Sequence, residues 1–85
     1  MSGAPVRILI VDDHRIVIAG LRLFLEAQPD LRVVGEARTL DEAQALAIDP
    51  DPDVILADLV LGPADGAGVV TGLRDRFPGA AVLVL

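Results

Sequence analysis

An α/β fold built on a parallel sheet is what this sequence predicts, and three observations carry the expectation. Short apolar runs alternate with segments of helical periodicity along the whole chain. With 53% of residues hydrophobic and only 2% aromatic, the interior must be made of Val, Leu, Ile and Ala. Parallel strands buried on both faces read as such unbroken aliphatic runs. Two of the runs also end in acid: Val6-Arg7-Ile8-Leu9-Ile10-Val11 leads into Asp12-Asp13, and Val54-Ile55-Leu56-Ala57 leads into Asp58. Alternating strands and helices imply right-handed crossovers, and hence strands that run the same way.

The first strand covers Val6 to Val11. A helix follows from His14 to Gln28, with Val17, Gly20, Leu21, Phe24 and Leu25 at helical spacing and Arg15, Arg22 and Glu26 off that face. Pro29-Asp30 closes it. Leu31-Arg32-Val33-Val34-Gly35-Glu36-Ala37 is the second strand, and its alternation of apolar and polar residues predicts an edge position. Thr39, with Glu42 three residues on, is a capping-box signature. The helix it opens turns Leu40, Ala43, Leu46 and Ala47 inward, and Asp49-Pro50-Asp51-Pro52 stops it, since proline disfavours helix at its own position and the one before. The third strand runs from Val54 towards Asp58. After the loop Gly62-Pro63-Ala64-Asp65-Gly66, a third helix carries Val69, Val70, Leu73 and Phe77 on one face, and Pro78-Gly79 ends it. Gly72 inside that helix costs ~1 kcal/mol relative to Ala. Ala80-Ala81-Val82-Leu83-Val84-Leu85 is the fourth strand. Its outer flank would leave backbone groups unpaired, so it is expected to pair with another copy or to belong to a longer domain.

Eighty-five residues allow one small domain, which buries only ~60–65% of its unfolded surface. No apolar run approaches the ~18 residues of a membrane span. The N-terminus has no basic-then-apolar leader, and the absence of cysteine fits the cytoplasm. The net charge of −6, with seven arginines and no lysine, argues against a grip on nucleic acid by this segment.

Should the first and third strands lie side by side, three carboxylates converge at the carboxyl-end rim, where open α/β sheets bind their ligands. Two carboxylates ~4 Å apart repel by about 4 kcal/mol at an effective dielectric near 20. Such a cluster is a cation site by charge, and its size suits Mg²⁺, a hard ion held by one or two carboxylates with waters and phosphate oxygens. An isolated Asp-Asp is more simply a helix cap, and Asp58 alone at a strand end would be equally bland. His14 is the only histidine, so neither a histidine-based metal site nor a catalytic role is expected for it, only a partly exposed place in the first helical turn. Gly62, Gly66 and Gly68 fit neither nucleotide fingerprint and serve turn geometry. Asp49, Asp51 and Asp53 read as a solvated loop, and Val17, Leu21 and Phe24 as core packing.

Taken together, Ile8-Leu9-Ile10-Val11-Asp12-Asp13-His14, Gly20-Leu21, Val33-Val34-Gly35-Glu36-Ala37, Pro52-Asp53-Val54-Ile55-Leu56-Ala57-Asp58-Leu59 and Asp65-Gly66 resemble the receiver domain of two-component response regulators. The His after the paired Asp and the Val-Val-Gly-Glu-Ala strand are similar to the LuxR- or NarL-type branch. The resemblance implies a flavodoxin-like doubly wound sheet, with residues 1–85 forming the N-terminal part of a receiver, β1 to β4, without its output domain. It implies that Asp58 is the phosphoacceptor for a sensor histidine kinase. Asp13 would be a direct Mg²⁺ ligand, Asp12 a direct or water-mediated one, and the backbone carbonyl of Val60 the remaining protein ligand. It further implies a cytoplasmic protein that controls DNA binding and transcription through the output domain, while the bare edge of the fourth strand adds the expectation of a homodimer or strand-edge pairing. Such a domain is no enzyme beyond its own phosphorylation and dephosphorylation. Gly62 stands where the family has Pro, with Pro63 one later, and the family's later Ser/Thr and Lys have no counterpart here. A pseudo-receiver, acting as a phosphorylation-independent interaction or dimerisation module, is the rival reading. A haloacid-dehalogenase-type phosphatase would need Asp at position 60, where Val stands.

Overall fold

A computed structural model describes residues 4–58 and 66–85. The elements alternate as expected: β1 (Val6–Val11), α1 (Arg15–Glu26), β2 (Leu31–Ala37), α2 (Leu40–Ala45), β3 (Val54–Ala57), α3 (Gly66–Arg76) and β4 (Ala81–Val84). All pairings are parallel, and the order across the sheet is β2-β1-β3-β4. β1 is central because Ile8, Leu9, Ile10 and Val11 are apolar on both faces, and all four are buried. The alternating β2 lies at the edge.

Strand alternation sends successive side chains to opposite faces, and two cores result. Leu9 and Val11 pack with Ala43 of α2 and Val69, Leu73 and Phe77 of the α3 region. Ile8 and Ile10 pack with Ile18 and Leu25 of α1 and Val33 of β2. A bulge at Val34 shifts the β1–β2 register between Ile8 and Leu9. This extra residue lets Val33 face α1 while Gly35 and Ala37 lie beside Leu9 and Val11.

Three packing expectations need correction. In α1 the buried residues are Ile18 and Leu25, with Leu21 packed beside them, whereas Val17 is 41% and Phe24 66% exposed. The apolar stripe is broad, and Val17 and Phe24 lie one residue, about 100°, away from the positions that meet the sheet. α1 also starts one residue later and ends two earlier than expected. In α2, Ala47 is exposed and beyond the helix, because Leu46 already leaves helical geometry with ψ 138. Arg76 of α3 explains the early stop: its guanidinium donates to the carbonyls of Gln44 (2.9 Å) and Leu46, meeting acceptors that a helix end leaves unsatisfied. Asp53, expected to be merely solvated, is exposed but accepts the Arg7 backbone N–H at 2.9 Å.

Candidate metal and phosphoacceptor site

The acids meet because β1 and β3 end level. Val11 pairs with Ala57, the last residue of each strand, so Asp12 and Asp58 leave the sheet side by side. Backbone bonds hold that arrangement: Asp58 N–H donates to the Val11 carbonyl at 3.0 Å, and Asp12 N–H to the Ala37 carbonyl at 3.0 Å. This is the carboxyl-end rim beside the point where strand order reverses.

Asp12 is the one buried charged residue among those described, at 4% exposure. Its Oδ1 accepts the His14 backbone N–H at 2.9 Å, closing a short turn into α1. Asp13 is exposed, and Asp58, directly after β3, is part-buried. One ligand atom from each of Asp12, Asp13, His14 and Asp58 falls within 4.8 Å of all the others. Groups gathered this closely could hold a divalent ion, and the donor chemistry of three carboxylate oxygens fits a hard cation.

His14 departs from expectation. It is the N-cap of α1, not a residue of its first turn, and its side chain makes no cap bond. Its Nδ1 lies 2.8 Å from Asp12 Oδ1, 2.9 Å from Asp13 Oδ1 and 3.7 Å from Asp58 Oδ2. The hydrogen bond to Asp12, and then the charge of Asp13, hold its pKa above the usual imidazole value. The signal available in the sequence was its place directly after the acidic pair at a helix start. Val60, Gly62, Pro63 and Asp65 lie outside the described residues, and so do the Val60 carbonyl and the loop substitution.

Comparison with known proteins agrees with the fold. The response regulator receiver domain model matches residues 8–85, and the chain belongs to that family. The transcriptional regulatory protein LiaR of Bacillus subtilis is 52% identical over 80 residues, which cover 94% of this chain and 38% of that protein. RcsB from Salmonella enterica serovar Typhimurium, solved bound to a promoter in the presence of phosphomimetic BeF₃⁻, superposes with a TM-score of 0.82 at 28% identity, covering 94% of this chain and 41% of that one. The signal receiver domain of NarL from Mycobacterium tuberculosis gives a TM-score of 0.81 at 32% identity, covering 96% of this chain and 66% of that one. The chain is thus a receiver of the LuxR/NarL type, a signalling domain of two-component systems. It spans about two fifths of the length of the curated relatives it matches.

Proposed function

We propose that Asp58 is the residue that accepts a phosphoryl group, from a phosphohistidine on a sensor histidine kinase, and that Asp12, Asp13, Asp58 and the carbonyl of Val60 hold Mg²⁺ beside it. The observation that carries this reading is the level ending of β1 and β3, which gathers three carboxylates at one rim. An Asp58 oxygen attacks phosphorus; an O–P bond forms as the N–P bond of the kinase breaks, and the leaving imidazole keeps the electron pair. When bound, Mg²⁺ neutralises charge on the transferring group, which is most of the catalysis such transfers need. Asp12 and Asp13 supply the negative charge that holds the ion. The Asp58 N–H bond to Val11 fixes the acceptor's backbone against the central strand. The rim is open, with Asp13 and His14 exposed, which suits a donor carried on another protein.

Residues 1–85 are the β1-to-β4 part of a receiver that acts in the cytoplasm. The whole protein would dimerise on phosphorylation and bind DNA through an output domain, as RcsB dimers are seen bound to DNA. None of the helices among the described residues is long and apolar enough to cross a membrane.

The test is intact mass after incubation with a small-molecule phosphodonor and Mg²⁺, on a chain extended to the length of its relatives. A gain of one phosphoryl group, lost in Asp58→Asn, is expected. No gain, or a gain that persists in the variant, removes Asp58 from the role.

A further inference from the structure

A cleft of about 510 Å³ lies between α1 and the end of β2, bordered by Arg15, Ile18, Ala19, Arg22, Glu36 and Arg38. β2 stands on the far side of β1 from β3, so the cleft is separate from the line of acids at the rim. In a chain of thirteen acids and seven arginines, this one cleft carries three arginines and a single acid. We infer that it is a docking site for an extended acidic peptide segment of a partner protein, one that presents two carboxylates three residues apart. The inference stands whether or not Asp58 accepts a phosphoryl group.

Charge selects the sign of the partner. Arg22 is fixed in place: its Nη1 donates to Glu36 Oε2 at 2.7 Å, and its Nε lies 3.4 Å from Glu26 Oε1. Arg15 and Arg38 are exposed and, among the described residues, meet no acid. Each is free to close on a carboxylate, which the guanidinium fork grips with two parallel hydrogen bonds. The backbone sets where they stand. Ala37, just before Arg38, accepts the Asp12 N–H at 3.0 Å, and Arg15 opens α1.

Length and width select the shape. Arg15 and Arg22 are two turns apart on α1, so they share a face and stand about 10.5 Å apart along the axis. A cleft of this volume spread over that length has a cross-section of about 50 Å². An extended chain fits there, whereas a helix about 10 Å thick does not. In polyproline II geometry residues i and i+3 lie on one side, about 9.3 Å apart, close to the spacing of the two arginines. Ile18 and Ala19, midway along the cleft, give the residues between the two acids an apolar seat. A single small anion meets only one end of such a row.

The test uses the chain extended to the length of its relatives and a fluorescently labelled peptide containing Glu-Ala-Pro-Glu. Matching peptides with Gln or Lys in place of Glu are run beside it, all followed by anisotropy at low salt. Exposed ion pairs are each weak, so the Glu peptide should bind about tenfold more tightly than the Gln peptide. The difference should fade at 1 M salt, where the screening length is only about 3 Å. Arg15→Glu combined with Arg38→Glu should pass the advantage to the Lys peptide, a reversal that unfolding cannot produce. The gentler Arg15→Gln and Arg38→Gln should each weaken the Glu peptide about threefold. Equal binding of Glu and Gln peptides to the native chain overturns the inference, and so does an affinity that neither arginine change alters. Displacement of the peptide by an equal concentration of succinate would mark a site for small anions and overturn it as well.

Discussion

Arg7 shows how a residue remote from the rim keeps the rim's geometry. It sits near the start of β1, at the opposite end from the acids. Its guanidinium donates to the carbonyls of Pro50 and of Asp51 (3.2 Å), and its backbone exchanges bonds with Asp53. The segment entering β3 is thereby tied to β1, which helps to set the register that brings Asp58 level with Asp12. Hydrogen bonds to charged groups are worth roughly 1.5–3 kcal/mol when shielded. Arg7 is only half-buried, so Arg7→Ala should cost about 1–2 kcal/mol. The urea midpoint should fall with an unchanged slope; an unmoved midpoint would show the tether to be decorative. At this scale the sequence disclosed the acids, because each stands at the tip of an apolar run. It did not disclose Arg7's partners, which lie 43 to 46 residues away along the chain. The His14 ring, by contrast, keeps local company: its close contacts are Asp12 and Asp13, two and one residues before it, and Asp58 stands farther off at 3.7 Å.

Among the elements, the α2–α3 contact explains a choice that propensity opposes. Gly72 in mid-α3 looks like a defect, yet a Cβ there would come within 2.9 Å of Leu40 Cδ2 and 3.0 Å of Gln44 Nε2. Gln44 also donates to the Gly72 carbonyl at 3.3 Å. Gly72→Ala gains ~1 kcal/mol of helix propensity, but the ends of the Leu40 and Gln44 side chains must shift to admit it, at about 1 kcal/mol, the low end of overpacking costs. No stabilisation is therefore expected, and a melting temperature raised by several degrees would contradict this close approach. The cap of α2 was legible: Thr39 Oγ1 accepts the Glu42 N–H at 3.0 Å. Glu42 closes the return bond on the Arg38 N–H, one residue before the position the motif anticipates. Thr39→Ala should cost about 1 kcal/mol, read by thermal unfolding. Element existence and order could be read because periodicity and breakers agree along the chain. The bulge at Val34 could not, since an uninterrupted Val-Val-Gly run carries no mark of a skipped pair. Nor could the covered face of α1, where Ile16, Val17, Ile18, Leu21, Leu23, Phe24 and Leu25 offer more width than one helix on a sheet can bury.

For the whole molecule, the two faces of the sheet are unequally covered. α2 and α3 enclose one face, where Leu9, Ile55, Leu73 and Phe77 are fully buried. α1 stands on the other, where Val54 and Leu56 are only half-buried, Leu83 of β4 is 53% exposed and Phe24 66% exposed. The chain has two phenylalanines, one associated with each side, and they report the asymmetry directly. Phe77 is 0% exposed, with the Arg76 guanidinium 4.5 Å from its ring centre. Phe77→Ala should cost about 3–5 kcal/mol, a large part of the ~5–15 kcal/mol that holds a small domain together. Phe24→Ala should stay within about 0.5 kcal/mol, as surface changes do. Urea unfolding followed by circular dichroism at two protein concentrations separates these expectations. A Phe24 loss as large as that of Phe77, growing with concentration, would mean that a second molecule covers the α1 side. A large loss independent of concentration would mean that α1 packs differently against the sheet, and the position of His14 over the acids would have to be measured anew.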